Sequence, residues 1–117
     1  MPRPAKPRNI CEMPKYYVFG PKGERMNKLN QVELTVDELE TIRLIDREGY
    51  TQEEAASQMN VARTTIQRIY NIARKKVADM LINGSVLIVE GGEIVLCDEE
   101  DCEDCLGKRH YRNRRGR

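Results

Sequence analysis

The stretch from Thr51 to Leu81, TQEEAASQMNVARTTIQRIYNIARKKVADML, restricts the possible folds of this chain more than any other. Thr51 and Glu54 have the spacing of a capping box, in which a hydroxyl and a carboxylate satisfy the free amides of a helix start. The short helix that follows carries Ala55, Ala56 and Met59, and its small alanines let a second helix approach closely. Asn60 tolerates a left-handed turn, and Val61 supplies an apolar plug after it. A longer helix is then expected from Arg63 to about Ile82, with Ile66, Ile69, Ala73, Val77 and Met80 facing inward at steps of three and four. Asn83-Gly84 stops it.

The flanking sequence adds elements around this pair. Thr35-Val-Asp-Glu38 is another capping box, and Val36, Leu39, Ile42 and Ile45 continue at helical spacing, so a helix is expected from about Val36 to Glu48 with Gly49 beyond its end. All five prolines fall within the first 21 residues, where they exclude regular helix. Residues 1–30 are therefore read as a basic, proline-rich arm with one short strand, Lys15 to Phe19, ended by the turn sequence Gly20-Pro-Lys-Gly23. Ser85–Glu90 and Glu93–Cys97 are β-rich runs joined by Gly91-Gly92, the pattern of a hairpin. A lone hairpin is marginal in water, so the early strand is expected to complete a small sheet with it. The resulting division is an arm over 1–30, a helical domain over 31–84, a hairpin over 85–97, and a cysteine-rich acidic segment with a basic tail over 98–117. The fold class is mainly α with a small β element.

Charge is segregated although the net value is only +1. Residues 33–54 hold eight acids against two arginines, whereas residues 61–78 hold five basic side chains and no acid. The exposed side of the long helix collects Arg63, Thr64, Thr65, Gln67, Arg68, Asn71, Arg74 and Lys75. Two helices joined by a short turn, the second long and basic, form the layout of a DNA-binding helix-turn-helix. The chemistry suits that use: Arg63 can pair with guanine, Gln67 with adenine, and Thr64 with several base edges or a thymine methyl. Arg68 can reach a base or a phosphate. Arg74, Lys75 and Lys76 lie farther along the helix, where backbone or intramolecular roles fit better.

Thr51–Ala56, Val61–Ile69 and Ala73–Val77 resemble the region-four helix-turn-helix of bacterial sigma factors, over about a quarter of the chain. Over nearly its whole length, including MPRP, CEMPKYYVFGPKG, LTVDELETIRLIDREG and LINGSVLIVEGG, the chain is similar to a prokaryotic family of small uncharacterised proteins predicted to bind DNA by this sigma-like motif. The resemblance implies a transcription regulator, because the polymerase-binding regions of a sigma factor are absent, and it places Arg63, Thr64, Gln67 and Arg68 at DNA-facing positions. Two departures stand out. Ala62 occupies the position where Ser or Thr usually caps the recognition helix, and Thr64-Thr65 replaces a charged pair.

No apolar run approaches the roughly 20 residues needed to span a bilayer, and the charged N-terminus lacks the apolar core of a secretory signal. The expected compartment is the cytoplasm, where cysteines serve as metal ligands or redox thiols more readily than as structural disulfides. Cys97, Cys102 and Cys105 fall within nine residues, and Cys11 could join them in a four-thiolate site, with His110 as the alternative fourth ligand. Zinc suits that donor set, while the Cys-x4-Cys-x2-Cys order also fits iron–sulfur ligation. The expected function is sequence-specific binding of double-stranded DNA by a transcriptional regulator, metal- or redox-responsive through these thiols, acting as a homodimer or in contact with RNA polymerase. The alternative is a metal- or thiol-sensing adaptor that binds a protein partner. No phosphate loop or catalytic triad is present in the sequence, so an enzyme is not expected.

Overall fold

The computed structural model describes residues 7–25 and 29–96. Among the described residues are five short strands and three α-helices. The strands are β1 (Arg8–Ile10), β2 (Val18–Phe19), β3 (Gln31–Leu34), β4 (Val86–Val89) and β5 (Ile94–Leu96), and the helices are α1 (Val36–Ile42), α2 (Gln52–Met59) and α3 (Arg63–Asn83). A single π-helical turn, Arg43–Arg47, extends α1. No helix among the described residues is long and apolar enough to cross a membrane.

Local signals place the helix ends. Thr35 and Thr51 each accept a hydrogen bond from the amide three residues on, and Glu38 and Glu54 reach back to the capping residue's own amide, completing both boxes. Beyond the π turn, Gly49 adopts φ +82°, and Gly84 ends α3 at φ +69° with its amide donating to the Met80 carbonyl. These boundaries match the expected helices within about a residue.

The β elements depart from expectation. The runs before and after Gly91-Gly92 do not form a hairpin. Instead β4 is the central strand of one sheet, antiparallel to β2 and parallel to β3, while β5 pairs in parallel with β1. The diglycine has a different job: the Val36 amide, in the first turn of α1, donates to the Gly91 carbonyl at 3.1 Å. A Cβ on Gly92 would lie 2.6 Å from Asp37 Oδ1 and 3.4 Å from the Val36 nitrogen. The chain thus runs past the start of α1, satisfying one of its free amides, and glycine permits that approach. β2 does join β4, as the early strand was expected to join the sheet. β3 had no clear sequence signal.

The N-terminal arm also departs from expectation where it is described. Ile10 is fully buried, and the Arg8 guanidinium lies 3.7 Å from Asp37 at a largely buried position, so β1 is a second strand in this arm and part of the core. Ile10, Leu34, Val36, Ala73, Leu87 and Val89 form one apolar cluster between the strands, α1 and α3. Leu44, Tyr50, Ala55, Ala56, Met59 and Ile66 form a second, which clamps α2 against the π turn and the start of α3.

Candidate nucleic-acid interface

The second cluster sets the relation of α2 to α3. Asn60 adopts φ +61° and ψ +47°, ending α2 in the left-handed conformation expected of it, and the Val61 amide donates to the Ala56 carbonyl at 3.0 Å. Val61 packs against the Leu44–Ile66 cluster, as its plug role requires. Ala62 then has extended backbone angles, φ −71° and ψ 153°, and no side chain caps α3. The longest helix of the fold therefore begins with amides that no side chain satisfies.

Ile66, Ile69 and Ala73 are buried, with Val77 and Met80 half-buried behind them, so α3 presents the intended face inward. Arg63, Thr64, Gln67, Arg68 and Asn71 are exposed on one continuous surface, and Thr65 is half-buried at its edge. Farther along, Arg74 is already engaged: its guanidinium stacks 5.3 Å from the Tyr70 ring centroid and lies 3.8 Å from Asp46. Tyr70 donates a 2.6 Å hydrogen bond to the same Asp46. Burial, followed by that bond, pushes the Tyr70 phenol above its ordinary pKa. Lys75 pairs with Asp79 on the helix surface at 3.3 Å. The Asp46–Tyr70–Arg74 cluster is invisible to spacing along one helix, since Asp46 comes from the π turn.

The acids of α1 do not compete with this surface. Lys76 pairs with Glu38 at 2.8 Å, and Arg43 binds Glu40 at 2.7 Å and lies 3.6 Å from Glu48. Burial by itself would lower the Arg43 pKa, but the hydrogen bond to Glu40 and the charges of Glu40, Glu48 and Glu12 outweigh it and raise the value above normal. Glu38, Glu40 and Glu48, with Asp37 beside Arg8, are thus held in ion pairs within the fold, and Arg63 and Arg68 at the start of α3 are exposed.

The thiol expectations rest on other residues. Cys97, Cys102, Cys105 and His110 lie outside the described residues. Cys11 follows β1 and accepts a hydrogen bond on Sγ from Gln58 of α2 at 3.3 Å. Among the described residues no three His, Cys, Asp or Glu side chains converge as a metal-binding group.

Comparison with known proteins places the chain in a family. A UPF0251 protein of Desulfitobacterium hafniense strain Y51 is 60% identical over 98 residues, covering 84% of this chain and 78% of the relative. One from Thermoanaerobacter pseudethanolicus is 49% identical over 116 residues, covering 99% and 95%. One from Methanococcus vannielii is 43% identical over 103 residues, covering 86% and 79%. No solved structure matches the chain. The family model described as "Protein of unknown function DUF134" matches residues 1–97, and the chain belongs to this DUF134, or UPF0251, family of prokaryotic proteins.

Proposed function

We propose that the protein binds double-stranded DNA with α2, the Asn60–Ala62 turn and α3 acting as a helix-turn-helix of sigma-region-four type, and that it regulates transcription. The observation that carries this reading is the surface at the start of α3. Arg63, Thr64, Gln67, Arg68 and Asn71 are exposed together on a helix packed from behind, with Glu38 and Glu40 of α1 held in internal ion pairs. In this reading Arg63 and Gln67 read base edges, Thr64 and Asn71 supply adaptable contacts, and Arg68 serves a base or a phosphate. The amides at the start of α3, uncapped at Ala62, add donors and a positive helix end suited to a phosphate oxygen. Arg74 and Lys75, already paired with Asp46 and Asp79, act on the phosphate backbone at most.

Selection of bound sequences from random duplex DNA tests the reading. It expects a defined site, affinity that falls steeply with salt, and a loss of about 1–3 kcal/mol with relaxed base preference in Arg63→Ala. Salt-insensitive binding, or an Arg63→Ala variant with unchanged specificity, refutes it.

A further inference from the structure

We propose that the cleft between residues 12–16 and α1 with its π turn binds a small organic anion, a carboxylate on a compact apolar body, and that the π turn couples this site to α3. The cleft holds about 250 Å³. That is below the roughly 300–1,000 Å³ of sites for drug-sized molecules, so the ligand is small. Met13, Val36 and Leu39 give the cleft apolar surface. Lys15, Arg43 and Arg47 bring three cations to it, against the carboxylates of Glu12 and Glu40.

The sign of the ligand follows from which of these charges are already engaged. Glu40 accepts from Arg43 Nε at 2.9 Å, from Arg43 Nη2 at 2.7 Å and from the Cys11 amide at 3.3 Å. The charge of Glu12 acts on the same Arg43. Lys15 and Arg47 are both exposed, and neither forms an ion pair among the described residues. Two such cations beside apolar side chains match an anion that also has apolar surface to bury. A cationic ligand meets repulsion there, and a neutral apolar one leaves both charges unanswered.

The π turn joins the cleft to α3. Arg43 and Arg47 line the cleft, whereas Leu44, between them, packs with Ala56, Met59 and Ile66 in the cluster that sets α2 against α3. Asp46, next to Arg47, accepts the Tyr70 hydroxyl at 2.6 Å and lies 3.8 Å from Arg74. A ligand held by Arg47 therefore acts on a five-residue turn whose neighbouring carboxylate grips α3. Single π turns recur at functional sites, and coupling between two sites needs a shared element of this kind. The ligand is then an effector of DNA binding, a role that rests on the proposed reading of α3.

The test is titration of the isotope-labelled full chain with benzoate, phenylacetate and hexanoate, followed by backbone amide NMR. At least one of the three is expected to saturate with a dissociation constant of roughly 1 mM. It should move the amides of Leu39, Arg43 and Arg47, and also those of Tyr70 and Arg74. The corresponding uncharged amide should bind at least about tenfold more weakly. Arg47→Ala and Lys15→Ala, both at exposed positions, should each weaken binding about fivefold without lowering the melting temperature. Asp46→Ala should keep the affinity and lose the movement at Tyr70 and Arg74. No saturable binding by any of the three, or binding unaffected by both cation substitutions, overturns the site. Movement confined to the cleft, or undiminished at Tyr70 and Arg74 in Asp46→Ala, overturns the coupling. Neither measurement uses DNA, so a chain that binds the carboxylate but selects no duplex refutes the reading of α3 and leaves this site standing.

Discussion

Placing Ser or Asp at Ala62 separates helix capping from nucleic-acid electrostatics at one position. The residue already holds φ −71° and ψ 153°, the extended conformation of a capping residue, so neither substitution requires the backbone to move. Ala62 is also exposed, so no packing is lost. A side-chain oxygen there can accept from the amide of Thr64 or Thr65, and either substitution is expected to stabilise the fold by about 1 kcal/mol. For a domain of this size that corresponds to a rise in melting temperature of about 4–8 °C. Thr51→Ala is the reverse control: it removes a complete capping box and is expected to lose about the same amount. Binding to the selected duplex separates the two substitutions. Ala62→Ser adds no charge and should hold its affinity within a few-fold. Ala62→Asp places an anion where the proposed mode puts a phosphate and should lose roughly tenfold at low salt, with a shallower salt slope. Thermal melting and fluorescence anisotropy measure the two quantities. Unchanged melting in Ala62→Ser refutes the uncapped start, and wild-type affinity in Ala62→Asp refutes the placement of that helix end on DNA.

Four further substitutions probe the frame. Gly92→Ala combines a left-handed φ of +103° with a Cβ 2.6 Å from Asp37 Oδ1, so urea unfolding should show a loss above about 2 kcal/mol. Gly91→Ala, at φ +80° in open space, should cost only about 1 kcal/mol; equal losses at the two sites would contradict the close pass over α1. Arg43→Met leaves the carboxylates of Glu40 and Glu48, 5% and 1% exposed, without their cation, and chemical denaturation should register a loss of about 3–5 kcal/mol. Tyr70→Phe tests the Asp46 bond. A phenol whose pKa is raised on folding contributes stability that is complete below its unfolded value near 10 and lost as pH rises through the folded value. The variant should therefore be less stable by about 1 kcal/mol at neutral pH, and the difference should shrink above pH 10. A constant difference across that range would show that the bond does not stabilise the protonated phenol.

Near-neighbour chemistry was largely readable. Thr35, Glu38, Thr51, Glu54, Asn60, Gly49 and Gly84 act within four residues of themselves, and all of them take the capping or turn roles their identities suggest. The face of α3 was readable for the same reason, because a 3.6-residue period sorts buried from exposed positions without reference to a partner. The thiol site was not open to the same reasoning, since a set of ligands far apart in sequence depends on where the chain returns.

The strands show the limit most plainly. Gly91-Gly92 between two β-rich runs has the local form of a hairpin, yet the start of α1 offers those glycines an amide to satisfy and a surface that excludes a Cβ. That interaction spans more than fifty residues and sends β5 to β1 and leaves β4 between β2 and β3. In the same way Arg8, from an arm that reads as basic and irregular, is drawn in by Asp37, and Asp46 reaches across to Tyr70 and Arg74. The sequence by itself determined the three helices, their ends, and the exposed face of α3, because each follows from residues within a turn or two of one another. Tertiary structure alone decided which strands pair, which acids are neutralised, and so how much of the positive charge on α3 remains free, because those outcomes depend on groups that only folding brings together.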